Sequence, residues 1–172
     1  MVNYNSVTDI QFNDASIEEP VTLAEAKNFC KIDIGTDDDL LISLITTARQ
    51  MCEAYTGVGF VSHEAVAILN NKNGGIYIPY GPTKEIYEVK DMEGNTLILD
   101  QDYTLSGNEF KRLLTPLDDR IEVNYQTGYE TLPETLKLAI LNQIYYLYDN
   151  RSQGADGIAP IAKMLLTPFR RV

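Results

Sequence analysis

The stretch Thr131–Arg151, TLPETLKLAILNQIYYLYDNR, constrains this chain more than any other. It reads as one amphipathic helix. Pro133 suits the first helical turn, because the amide that proline lacks would be unpaired there anyway. Thr131 is then the expected cap, and Glu134 falls where the positive end of a helix favours an acid. At about 100° per residue, Leu136, Leu138, Ile140, Leu141, Ile144, Tyr145, Leu147 and Tyr148 cover roughly 200° of the helix surface. A helix lying on one core needs little more than about 100°. The excess has to be buried against another layer of this chain or against another chain. The helix is therefore expected to pack a core and also to lie at an interface, with Leu138, Leu141, Tyr145 and Tyr148 as candidate subunit contacts. Asn142, Gln143, Asp149 and Asn150 are expected to keep the remaining face wet.

Two further helices precede it. In EEPVTLAEAKNFCKID, Thr22 and Glu25 stand three apart as a capping box, Leu23, Ala26, Phe29 and Cys30 form the apolar stripe, and Gly35 ends the helix. The second starts at TDDD, where Thr36 or Asp37 can cap it and Asp38 and Asp39 complement its positive end. Leu40, Leu41, Leu44, Ile45, Ala48, Cys52 and Tyr55 recur at helical spacing for about 18 residues, up to a stop at Gly57.

Between Gly57 and Gly128 the pattern becomes β-prone. Ala65–Leu69, Ile76–Pro79, Glu85–Lys90, Thr96–Asp100, Tyr103–Leu105 and Arg120–Tyr125 are short runs separated by turn-forming clusters. Asp91–Asn95 is expected to turn a hairpin, with Gly94 or Asn95 at positive φ. VTDIQF near the N-terminus can pair as another short strand. The expected class is α+β: a mainly helical core of two N-terminal helices and one long C-terminal helix, with a small antiparallel sheet inserted. The boundaries follow: 1–20 an N-terminal extension, 21–57 and 129–151 the helical core, 58–128 the β-rich insertion, 152–172 a linker and C-terminal segment. SQGADGIAP is linker-like in composition. IAKMLLTPFRRV is too short to make its own core, and Phe169 beside two arginines is a poor solvent tail, so this tip is expected to dock on something.

Charge is uneven. The net −11 divides into −7 over residues 1–57, −6 over 58–132 and +2 over 133–172. An acidic body repels phosphate, so a grip on nucleic acid through counterion release is not expected. The bases that cluster are Lys163, Arg170 and Arg171. No apolar run approaches the roughly 20 residues of a membrane span, and no secretory leader is recognisable. Cys30 and Cys52 both fall in helices and read as small buried apolar residues of an intracellular product, not as a disulfide.

No catalytic or metal-binding constellation emerges, and no cofactor is expected. His63 is the sole histidine and reads as a loop residue between helix and strand. Asp37–Asp38–Asp39 lacks the spaced acids and central glycine of a calcium loop and reads as helix capping. Asn73–Gly74–Gly75 is a turn, since no Gly-Lys-Ser/Thr follows. Asp100, Asp102, Asp118 and Asp119 could supply paired carboxylates, but each lies in a turn or at a strand edge, where solvated acids are ordinary.

The order of segments carries a signal of its own. VTLAEAK, then the acidic start and Ala-Arg…Glu-Ala-Tyr-Thr-Gly helix, then Tyr-x-x-Gly-Tyr…Pro…Leu-Lys…Ala-Ile-Leu together resemble the tailed-bacteriophage head–tail connector, or adaptor, family. The resemblance spans residues 19–151; the family often has arginine where Lys31 stands and an acid where Ser152 stands. It implies a ring of subunits under the portal vertex in the virion, assembled in the bacterial host cytoplasm, which extends the DNA channel towards the tail. It further implies subunits that are often monomeric in solution, with twelve-fold symmetry the usual expectation in the virion. The partners would be the portal protein, a tail-completion or stopper protein, and copies of the chain itself, with DNA passing through unbound and no membrane involved. Leu165, Leu166, Pro168, Phe169, Arg170 and Arg171 would be the portal-docking residues. The competing readings are a stopper that binds the adaptor and not the portal, and a metal-dependent acidic hydrolase using the turn aspartates.

Overall fold

The computed structural model describes residues 7–13, 17–71, 75–117, 119–151 and 156–171. Its strands are β1 (Val7–Asn13), β2 (His63–Asn70), β3 (Ile76–Tyr77), β4 (Thr83–Asp91), β5 (Thr104–Ser106), β6 (Arg112–Leu114) and β7 (Arg120–Thr127). Its helices are α1 (Leu23–Cys30), α2 (Asp38–Thr56), α3 (Glu134–Asp149) and α4 (Pro160–Leu166). The chain is thus α+β, and it divides into two compact units. One is Met1–Ile17, Gly57–Glu130 and Arg171–Val172; the other is Glu18–Thr56 and Thr131–Arg170.

Among its described residues the first unit holds two antiparallel sheets where the sequence suggested one, of order β1-β2-β7-β4 and β3-β6-β5. Alternation in β2 and β7 sets the core. Ala65, Ala67 and Leu69 lie opposite Tyr125, Val123 and Ile121, and all six are buried. A one-residue slip would turn this whole set outward, so burial fixes the register. Leu113 of β6, Val89 of β4, Ile76 of β3, Ile78 and Tyr103 join the same cluster. The Tyr125 hydroxyl donates to the Pro79 carbonyl at 2.9 Å, which satisfies its polar atom in the core. Gly128 follows β7 at φ +89°, where a Cβ would collide with the Val61 carbonyl. Only glycine fits that position.

Several local expectations change here. Thr96–Asp100 is not a strand, because Asp102 accepts the Ile98 amide at 2.8 Å and Asp100 sits at φ +64°, turning the chain away. His63 is not a loop residue: it opens β2, buried, with its ring 4.8 Å from that of Phe12. Gly94 takes positive φ in the turn after β4, as its sequence suggested. Asn73, Gly74 and Asp118 lie outside the described residues.

In the helical unit, α1 begins with the full capping box: Thr22 accepts the Glu25 amide, and Glu25 accepts the Thr22 amide in return. It ends earlier than Gly35, at Lys31, whose left-handed φ of 56° terminates the turn. Phe29 is exposed, not part of the buried stripe. Helix α2 runs for 19 residues and buries Leu41, Ile45, Ala48 and Cys52. Arg49 is buried on the same helix, its guanidinium held by Glu53 at 2.6 Å and by Glu19 at 2.9 Å. That ion pair ties the segment ahead of α1 to α2.

Helix α3 starts one residue after Pro133, which occupies the cap position in extended geometry; Thr131 is not the cap. Its buried side is Leu136, Ala139, Ile140, Gln143 and Ile144. Each fully buried leucine or isoleucine contributes roughly 1.5–3 kcal/mol. Gln143 is the correction of substance, since it was expected on the wet face. Its Oε1 accepts the Ala159 amide at 2.7 Å and its Nε2 donates to the Gly157 carbonyl at 3.1 Å. A buried amide so paired is satisfied, and it fixes the chain just before α4. Helix α4 then packs Ala162 and Leu166 inward and runs into a 3-10 turn at Thr167–Phe169.

Candidate assembly surfaces

The buried side of α3 accounts for only part of its apolar residues. On the opposite side, Leu138 is 42% exposed and Tyr145 is 46% exposed, with Leu141 half-buried between them. These residues, at i, i+3 and i+7, make one stripe along the helix. Exposed Glu134 and Asp149 extend the row at either end. Tyr148 differs from the other three sequence candidates. Its hydroxyl donates to Asp37 at 2.6 Å, and the Arg151 guanidinium lies 4.4 Å from its ring centroid. Tyr148 therefore braces the start of α2 within its own unit.

Helix α4 is apolar on two sides. Ala162 and Leu166 face inward, while Ile161 is 55% and Met164 is 67% exposed. The sequence reading saw this apolar segment but did not separate its faces. The spacing Ile161, Met164, Pro168 would have done so, because it follows the helical repeat on the side opposite Ala162 and Leu166. Of the six expected docking residues, Leu166 is fully buried in the unit itself, Leu165 and Phe169 are half-buried, and Pro168 is exposed. The exposed arginines lie over aromatic rings of this chain, Arg170 at 5.2 Å from Tyr55 and Arg171 at 4.3 Å from Phe110. Such cation–π contacts at exposed sites are worth about 0.5–1 kcal/mol each, little enough to be exchanged for a partner.

The chemical candidates resolve into structural roles. Asp38 pairs with Lys27 at 2.6 Å, and the Asp37 carbonyl accepts the Leu41 amide in the first turn of α2. Asp119 accepts the Arg120 amide at 2.7 Å. Among the described residues, no three His, Cys, Asp or Glu side chains converge on a metal-sized site. Cys30 and Cys52 are free thiols. Burial, with Glu53 nearby, pushes the Cys52 thiol up to about 12, far from an activated thiolate. No helix among the described residues is long and apolar enough to cross a membrane.

Residues 20–92 match the family model described as phage gp6-like head-tail connector protein. That stretch is less than half of the chain, and over it the match agrees with the resemblance read from the sequence. No curated protein matches it. In fold it is similar to a chain in the neck of an empty gene transfer agent particle computed with C6 symmetry, at TM-score 0.75 and 18% identity over 96% of each chain. It is similar also to a chain of the native gene transfer agent virion, at TM-score 0.73 and 18% identity over 94% of this chain and 96% of that one. A third likeness is to the native neck computed with C12 symmetry, at TM-score 0.68 and 19% identity over 91% and 96%. At such identities the likeness is one of fold.

Proposed function

We propose that this chain is the adaptor subunit of a phage or prophage particle: copies form a ring beneath the portal, join head to tail and extend the DNA channel. The observation that carries this reading is the exposed apolar face of α3, on a fold shared nearly end to end with neck proteins. A large apolar stripe left uncovered on a connector subunit calls for a neighbour, and a ring supplies one through heterologous contacts. The acidic body suits a channel through which DNA passes without sticking.

On this reading Leu138, Leu141 and Tyr145 contact the next subunit, and the C-terminal tip docks on the portal. Leu166 anchors that tip to its own unit, which leaves Leu165, Pro168, Phe169, Arg170 and Arg171 to reach the partner. Aromatic and arginine residues dominate many interfaces, so Phe169 and the two arginines are the expected anchors. The test is a pull-down from an induced or infected lysate, with the full chain beside a version truncated after Leu166. Portal protein recovered with the full chain alone is expected. Tail-completion protein recovered without portal would favour the stopper position. Portal recovered equally with both forms would remove the docking role from the tip.

A further inference from the structure

Two exposed apolar faces belong to the same helical unit, and neither covers the other. One is the α3 stripe of Leu138 and Tyr145; the other is the outer side of α4, with Ile161 and Met164. The α3 stripe runs over eight residues, Leu138 to Tyr145, and α4 is seven residues long, Pro160–Leu166, so each is about 10 Å at the helical rise. They differ in charge. The α3 stripe ends in exposed acids, Glu134 and Asp149, whereas α4 holds one base, the exposed Lys163, and no acid.

We propose that the outer face of α4 in one subunit seats on the α3 stripe of the next. Ile161 and Met164 pack on Leu138 and Tyr145, and Lys163 meets Asp149. This pairing rests on the ring reading above and names its contact. The complementarity is of shape and sign: an apolar row rimmed by acids receives an apolar row of matching length that carries a base. Because the two faces are different patches, each subunit offers one and receives the other, a heterologous contact that propagates around a ring. A stripe-to-stripe contact of α3 with its own copy would bring like acids together and would stop at a dimer.

The test uses the full chain in a Cys30→Ser background, with the buried Cys52 left in place. Chains carrying Leu138→Cys and Met164→Cys are mixed at rising concentration, with portal present, and treated with a short bis-maleimide. The expected result is a mixed cross-linked dimer several-fold in excess of either homodimer. Lys163→Glu should raise the concentration needed for assembly by about tenfold, and adding Asp149→Lys to it should restore assembly. All four positions are exposed, so thermal melts should coincide with the parent and exclude misfolding. Homodimers of Leu138→Cys in excess, or failure of Asp149→Lys to rescue, would overturn the pairing. Oligomers that form without a 138–164 cross-link would overturn the pairing and leave the ring standing. A chain that stays monomeric at every concentration, with and without portal, would overturn the ring reading and the pairing together.

Discussion

The side-chain oxygen of Gln143 accepts the backbone N–H of Ala159 at 2.7 Å, deep in the helical unit. The same amide donates to the Gly157 carbonyl. One residue of α3 thus sets where α4 begins, and so how its outer face is presented. Gln143→Leu would keep the volume and remove both bonds, leaving the Ala159 amide buried and unpaired. Such a loss costs about 1–3 kcal/mol. The expected outcome is a lowered urea midpoint together with loss of hydrogen-exchange protection confined to residues 156–166.

Arg49 is a buried charge of the same unit, beside the buried Glu53. Burial by itself would lower its pKa, but the carboxylates of Glu19 and Glu53 outweigh that and hold it above the ordinary arginine value. Removing one member of a buried ion-pair network costs about 3–5 kcal/mol, since the remaining charges lose their compensation. Arg49→Met should destabilise by that order in equilibrium denaturation at pH 7. Arg49→Met combined with Glu53→Leu should recover part of the loss.

Glu25 gives a pH signature. Its hydrogen bond from Lys137, then that from the Thr22 amide, lowers its pKa from 4.5 to about 2 in the folded chain. A depressed carboxylate stabilises the fold at pH above its unfolded value and loses that contribution as pH falls towards the folded one. The stability difference between the parent and Glu25→Gln should therefore be full above about pH 4.5 and should close between pH 4.5 and about 2. Denaturation midpoints measured across that range check it.

Cys52 serves as a reporter of unfolding. With its thiol pushed up to about 12 and its side chain inaccessible, it should not react with a maleimide at pH 8 in the native state. In denaturant it should react fully. Cys30, less buried, should label measurably in the native chain, and mass spectrometry of the labelled peptides separates the two.

Much of this architecture was legible in the residues. The Thr22–Glu25 box, the apolar ladder of α2 and the alternation in β2 and β7 each rest on a local rule that tertiary context did not override. The three-residue strand β6 was not legible, because Arg112–Leu114 has no alternation to read and becomes a strand only when Leu113 is buried. Gln143 was misplaced for a related reason. A polar side chain on an apolar face signals water unless the backbone it serves is known, and Gly157 and Ala159 are distant in sequence. On α3, the excess apolar width pointed to Leu138 and Tyr145, which the fold leaves exposed. Tyr148 shares their spacing, but its hydroxyl bond to Asp37 depends on where α2 starts in space, which periodicity does not contain.

The measurement that tests the account most directly is electron microscopy of lysates from the parent phage or prophage and from one in which this chain is deleted. The account predicts that deletion leaves capsids and tails present but unjoined, and that supplying the chain in trans restores joined particles. Joined particles in the absence of the chain would contradict the proposed role in joining head to tail.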